Sequence, residues 1–270
     1  MLSVTFGRSL IMKKRAFAAL LLGLLGAGIA GGTPTYAADK VTLHYSAAAS
    51  LKDTLTEIGQ KYEKKHSNIK LEFDFAGSGQ IKQKVLEGAP IDGVLTASEA
   101  DMTALTDKNK ATNSFVLLKN DLVVVQNKKA DPLKGSLTSD LKQAKKIAIG
   151  QPKLVPAGRY ATESLQKLKL DQTLKSKFVY ANDVRQVLAY VAAGNADLGF
   201  VYRTDAKISK KVRIVKTVPA STHAPIRYYV GVTTTDKTEK KAVQQFNRYL
   251  KGKTAQKVFK AADFKMATVK

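Results

Sequence analysis

Four times along this chain a helical pattern opens on small, hydroxyl-bearing or capping residues at the end of a strand-like stretch. Val41-Thr42-Leu43-His44-Tyr45 reads as a strand, and Leu51, Leu55, Ile58 and Tyr62 follow at helical spacing. Between them lies Ser46-Ala47-Ala48-Ala49-Ser50, which has neither charge nor bulk. Leu71-Glu72-Phe73-Asp74-Phe75 alternates as a half-buried strand and runs through Ala76-Gly77-Ser78-Gly79 into a second helix, which Gly88 ends. Val155-Pro156-Ala157-Gly158 opens a third helix, expected over about 158–169. Asp183-Val184 opens a fourth that stops near Gly194-Asn195. Further strands are expected at 92–97, 122–125, 147–150, 198–202, 214–215 and 228–233, and two amphipathic stretches close the chain. Strands alternating with helices restrict the chain to the α/β class, with mostly parallel sheets flanked by helices.

These junctions also carry the chemistry. A helix N-terminus offers amide N–H groups without intrahelical acceptors and the positive end of the helix dipole. Several such ends converging make an anion site from neutral donors, beyond the carboxyl ends of the strands. Ser50 is expected to cap its helix, with Asp53 three residues on in the manner of a capping box, and Asp183 to cap the fourth. For each serine an ordinary helix cap is the competing reading.

Composition narrows the rest. The 270 residues are 44% apolar, enough for a real core, and contain no Cys, which removes disulfides, thiolate metal sites and a lipid-carrying Cys after the signal. Residues 1–37 read as a signal peptide: basic Lys13, Lys14 and Arg15, an apolar run over 16–30, and small residues before an expected cleavage after Ala37. That run is shorter than the roughly 20 residues of a comfortable membrane span. Met12 offers an alternative start to Met1. The protein is therefore expected outside the cytoplasm, in the periplasm or at the cell envelope.

The net charge is +23, of which residues 1–37 supply four basic residues and no acid, leaving +19. That balance suits an acidic partner, either nucleic acid or an anionic envelope. The lysines are scattered in pairs and match no nucleic-acid-binding motif, so no nucleic-acid partner is expected. Enzyme readings fare poorly. Ala76-Gly77-Ser78-Gly79-Gln80 lacks the nucleophile-elbow spacing, and His44, His66 and His223 show no metal-ligand spacing. A serine hydrolase on Ser50 or Ser78 would need a Ser–His pair that no motif supports.

Five segments in order resemble the molybdate-binding proteins of bacterial ABC transporters: AAASLKD (47–53), FAGSGQIKQKVLEGAPID (75–92), LVPAGRYATESL (154–165), NDVRQVLAYVAAGNADLGFVY (182–202) and RYLKGKTAQKVFKAADF (248–264). The resemblance implies a type II binding protein with two α/β lobes, 38–119 plus 229–270 and 120–228. The chain would cross between them near Lys119-Asn120-Asp121 and Arg227-Tyr228. It implies a monomer without enzymatic activity or cofactor that captures molybdate or tungstate in the cleft and delivers it to a membrane permease. Sulfate or phosphate is the alternative ligand, and a surface-bound polyanion binder the more distant one. Metal would enter only as the oxyanion. The implied ligand residues are the side chains of Ser50, Ser78 and Tyr202 and the backbone N–H groups of Ala157 and Val184. Arg159 is expected to point to solvent. Ser46, Gly93 and Ser98 depart from the family pattern, and Ser46 would add a donor or loosen the packing beside the pocket.

Overall fold

The computed structural model describes residues 40–267, so the expected signal peptide, its cleavage point and the choice of start lie outside the described residues. The first half-sheet forms from β1 (Val41–Ala48), β2 (Ile69–Ala76), β3 (Gly93–Thr96) and β4 (Thr112–Lys119), with α1 (Lys52–Glu63), α2 (Ser78–Leu86) and α3 (Glu99–Asp107) between them. The chain then enters a second sheet at β5 (Leu122–Asn127) and continues through α4 (Leu137–Gln143), β6 (Ile147–Gly150), α5 (Pro156–Lys167) and α6 (Asp171–Leu174). The second sheet is completed by β7 (Phe178–Ala181), α7 (Val184–Ala193), β8 (Leu198–Tyr202), α8 (Arg203–Ile208) and β9 (Val212–Thr217). The chain returns to the first sheet with β10 (Arg227–Val232) and ends in α9 (Lys237–Tyr249), α10 (Lys253–Ala261) and β11 (Lys265–Met266).

The first sheet has the order β11-β4-β10-β3-β1-β2 and the second β7-β6-β8-β5-β9. In each, three neighbouring strands are parallel and the strands contributed by the crossings run antiparallel: β1 pairs parallel with β2 and β3, and β6 with β7 and β8. β10 runs antiparallel to β3 and β4, and β5 to β8 and β9. Helices cover the parallel strands, as the α/β reading requires. Arg227 and Tyr228 already pair with Lys119 and Leu118 in the first sheet.

The cores explain why these segments fold. On α1, the buried residues Leu55, Ile58 and Tyr62 form one stripe, and the Tyr62 ring meets Phe246 of α9 edge-on at 5.0 Å between centroids. Tyr45 of β1 meets the same Phe246 ring, and its hydroxyl donates to Asn247 Oδ1 at 3.0 Å. Gly93 sits opposite Tyr45 in the β1–β3 register, and a Cβ there would overlap the Tyr45 ring. The tyrosine occupies the space that an apolar side chain would take on β3. In the second sheet, Val123, Val125, Ile147, Leu198 and Phe200 are buried, and Gly199 of β8 faces Val187 and Val191 of α7.

Two local expectations are corrected. Ser46, Ala47 and Ala48 belong to β1, so the strand runs three residues beyond the expected end at Tyr45 and takes in most of the small-residue stretch. Ser50 does not cap α1: a one-turn 3-10 segment, Ala49–Leu51, intervenes, and the residue flanking α1 is Leu51, with no side-chain cap. The Ser50 hydroxyl is engaged elsewhere, and Asp53 bonds Arg185. The other helix starts follow the sequence: Pro156 is the first residue of α5, and Asp183 accepts from Gln186 N at 2.9 Å at the start of α7. Gly194, at φ +80°, ends α7 in the left-handed conformation that favours glycine.

Candidate functional site

All five residues singled out in the sequence line one small cavity, with about 10 Å³ open to the centre of a water molecule. Its wall is built from chain just beyond the carboxyl ends of six parallel strands. Ala48, Ala49 and Ser50 follow from β1, Ala76, Gly77 and Ser78 from β2, and Ala97 from β3. Val155, Pro156 and Ala157 come after β6, Val184 after β7, and Tyr202 closes β8. Both sheets thus converge on the cavity at the place where α/β folds bind ligands. That is about the space a single water needs, far below the range of drug-sized pockets, so only a small ligand is compatible with the site.

No lining residue carries a charge. What they offer is hydrogen-bond donors. Ala157 and Val184 stand in the first turns of α5 and α7, where backbone N–H groups have no intrahelical acceptor. Ser78 is fully buried, and its Oγ accepts from Ala97 N at 2.9 Å, which leaves its proton for another partner. Tyr202 is buried, and its hydroxyl has no hydrogen-bond partner among the described residues. Burial raises its pKa well above that of a free tyrosine, so it stays a neutral O–H donor. Ser50 Oγ lies 2.9 Å from Tyr228 Oη. Larger concavities exist among the described residues, one of them a groove of about 620 Å³ beside Asn127, Lys129 and Lys145, but that groove is lined by charged side chains and lacks a ring of buried donors.

Around the cavity the two sheets fasten to each other. Gly79 N donates to Leu154 O at 2.9 Å, and a Cβ on Gly77 would stand 2.6 Å from the same carbonyl. The glycines of the second junction therefore make room for the backbone of the opposite sheet's loop, beyond merely opening the cavity wall. Tyr160 of α5 donates to Ala97 O at 3.2 Å. Arg159 does not point to solvent. Its Nη2 donates to Asp101 Oδ2 at 2.7 Å and to Ser98 Oγ at 3.3 Å, both on α3 or its cap. Asp101 is wholly buried and is also held by Lys82 at 2.9 Å. On the other flank Arg185 Nη2 donates to Asp53 at 2.6 Å and to Ser50 O at 3.2 Å. Its Nε lies 2.7 Å from Asp205 Oδ1 as an ion pair without a well-aligned hydrogen bond. Burial pushes the Asp205 carboxyl up to about 6 despite that arginine.

Ser46 is not at the site: its hydroxyl donates to Asp74 Oδ2, its partner across β2, at 3.1 Å. Ser98 caps α3, accepting from Asp101 N at 3.3 Å, and also receives Arg159. Sequence reading missed Asn120, Tyr228, Arg185, Asp101 and Asp205. Ser50 and Tyr228 lie 178 residues apart, and Arg159 and Asp101 lie 58 apart, so no local pattern joins them.

The model of the family described as bacterial extracellular solute-binding protein matches residues 43–265. The molybdate-binding protein ModA of Haemophilus influenzae is 36% identical over 89% of this chain and 93% of its own length. ModA of Escherichia coli is 35% identical over 84% of this chain and 90% of its own. The periplasmic molybdate-binding protein of Azotobacter vinelandii superposes with a TM-score of 0.73 at 26% identity, covering 84% of this chain and all of that one.

Proposed function

The chain belongs to the bacterial extracellular solute-binding proteins, and from that premise we propose that it captures molybdate, with tungstate as a close substitute, for delivery to an ABC transporter permease. The observation that carries the reading is the convergence of Ser50, Ser78, Ala157, Val184 and Tyr202 on one small, uncharged, donor-rich cavity. A tetrahedral dianion has four oxygens to satisfy and a fixed size. Dipolar donors in a water-poor cavity hold it, and the donors that a smaller anion fails to reach are left unpaired, which costs about 1–3 kcal/mol each. The two lobes would be the two sheets with their helices, hinged where the chain crosses at Asn120-Asp121 and again between β9 and β10, and the ligand would close them. The reading is of binding without turnover: among the described residues no carboxylate or histidine lines the cavity with its serines, whose hydroxyls bond Tyr228 and a backbone N–H. It needs no cofactor. The protein works outside the cytoplasm. Among the described residues no helix is long and apolar enough to cross a membrane.

The polyanion-binder reading loses to this one on the fate of the nearest cations. Arg159 and Arg185 are committed to carboxylates and are not presented to a partner. A thermal-shift panel of molybdate, tungstate, sulfate and phosphate tests the proposal. Molybdate and tungstate at about 1,000 times their Kd are expected to add roughly 4 kcal/mol of stability. A folded protein that shifts with neither overturns it, and a response to sulfate or phosphate alone moves the assignment to those anions.

A further inference from the structure

Behind Ser50 lies a chain of hydrogen bonds whose direction follows from the amide at its far end, and it ends at the cavity. Asn120 follows β4 at the crossing between the sheets. Its Oδ1 accepts from Asp121 N at 2.9 Å, which fixes which end of the amide is oxygen. Its Nδ2 therefore faces Thr204 Oγ1 at 2.9 Å and Tyr228 Oη at 3.2 Å. An amide NH₂ only donates, so Tyr228 Oη accepts from it. A phenol has one proton, and burial raises the Tyr228 pKa far enough to keep it. Its other partner is Ser50 Oγ at 2.9 Å, so that proton goes to Ser50. Ser50 Oγ is thereby an acceptor toward Tyr228, and its own single proton is turned toward the cavity that Ser50 lines.

We propose that Asn120 and Tyr228 are positioning residues that lock Ser50 as a donor to the ligand and so tune the site for oxyanions carrying no proton. The proposal rests on the oxyanion reading above. Ser78 is set in the same sense by a different group, since Ala97 N occupies its acceptor side. With both serines fixed as donors, an anion that itself bears an O–H, such as hydrogen phosphate, brings a hydrogen toward other hydrogens. A fully deprotonated dianion of the same charge meets only donors. Pairing a buried polar group with the wrong partner discriminates more strongly than a size difference of one methylene. The same amide holds Thr204, the second residue of α8, so the donor direction at Ser50 is tied to the crossing between the two sheets.

The test is a mutant cycle read by isothermal titration calorimetry with molybdate, sulfate and phosphate at pH 7.5. The proteins are wild type, Tyr228→Phe, Asn120→Asp, Ser50→Ala and the two doubles with Ser50→Ala. Tyr228→Phe frees the Ser50 hydroxyl to rotate and is expected to weaken molybdate about tenfold. Asn120→Asp keeps the shape but replaces a donor by an acceptor, reversing the chain so that Ser50 turns a lone pair to the cavity. A loss of at least about a hundredfold is expected. Both should narrow the preference for molybdate over phosphate at least tenfold. In the Ser50→Ala background Tyr228→Phe should change molybdate affinity less than twofold, because the group it acts through is gone, and Asn120→Asp should keep only the part of its loss that its added negative charge causes. Equal losses in both backgrounds, or no loss in either variant, overturn the proposal; the two variants are independent routes should one fail to fold. A wild type that ignores molybdate but shows the same coupling with sulfate sinks the molybdate reading and leaves the relay standing.

Discussion

The floor of the cavity and its flanks are built on opposite principles. The floor is wholly uncharged: two serines, a tyrosine, alanines and the first turns of two helices. The flanks are dense in charge, yet each arginine there faces carboxylates. Arg159, two residues after Ala157, reaches Asp101, and Arg185, next to Val184, reaches Asp53 and Asp205. In each case an arginine carried by the second sheet's helix crosses to the first sheet. Charge near the site thus serves as a fastener between the sheets, while the cavity itself presents only dipoles. A bare cation in the cavity would attract every small anion at long range, and neutral donors leave discrimination to shape and hydrogen-bond direction.

The division of labour can be broken most forcefully at Asp101. It is wholly buried between Arg159 and Lys82, whose side chains are about a quarter exposed. Asp101→Ala leaves two partly buried cations facing each other and removes a tie between α5 and α3. Loss of one partner of such a buried group costs about 4 kcal/mol, and denaturant unfolding of the unliganded protein should show it. If stability stays within about 1 kcal/mol while oxyanion affinity collapses, the flank belongs to the ligand and the contrast fails.

A smaller effect, with a sharper signature, is expected from Asp205. Its folded carboxyl is raised from 3.8 to about 6, chiefly by burial, with Arg185 pulling the other way. Between those values the folded protein keeps a proton that the unfolded chain has lost. The stabilisation from this group is complete below about pH 4 and is gone above about pH 6, a change of about 2–3 kcal/mol. Asp205→Asn removes that dependence, so its stability relative to wild type should improve by this amount from pH 4 to pH 7 in parallel urea titrations. An unchanged difference across that range would mean that Asp205 is ionised throughout and that Arg185 outweighs burial.

The sequence disclosed floor and flanks unequally, for a physical reason. The floor residues announce themselves locally, because a strand end, a small residue and a helix start are contiguous in the chain. Ser50, Ser78, Ala157 and Val184 each sit in such a junction, and Tyr202 ends the strand expected at 198–202, which the structure buries along its whole length. The flank pairs arise only when distant helices meet, as with Arg185 and Asp53, 132 residues apart. The expectation that Arg159 faces water weighed its own segment and had no view of α3. The Ser50 cap failed for a related reason. Its hydroxyl is claimed by Tyr228 from β10, and a 3-10 turn moves the start of α1 one residue on. β4, with a polar exposed first half and a buried second half, lacks the regular alternation that marks β2.

The mildest test lies at the outer end of the Arg185 fastener. The Asp53 side chain is 58% exposed, and its contact with Arg185 lies in high dielectric, open to salt. Such pairs contribute about 0.2–1 kcal/mol. Arg185 would keep Asp205 and the Ser50 carbonyl after Asp53→Ala, so the ring of donors should stay in place. What weakens is the tie that holds α1 to α7 over the cavity. The expected outcome is a two- to fourfold faster release of molybdate at low ionic strength, with the difference vanishing in 1 M NaCl, where screening has already weakened the pair in wild type. Stopped-flow chase with excess tungstate measures it. A salt-independent loss of tenfold or more would show that Asp53 acts on the donors themselves, through Ser50, and that floor and flank are one device.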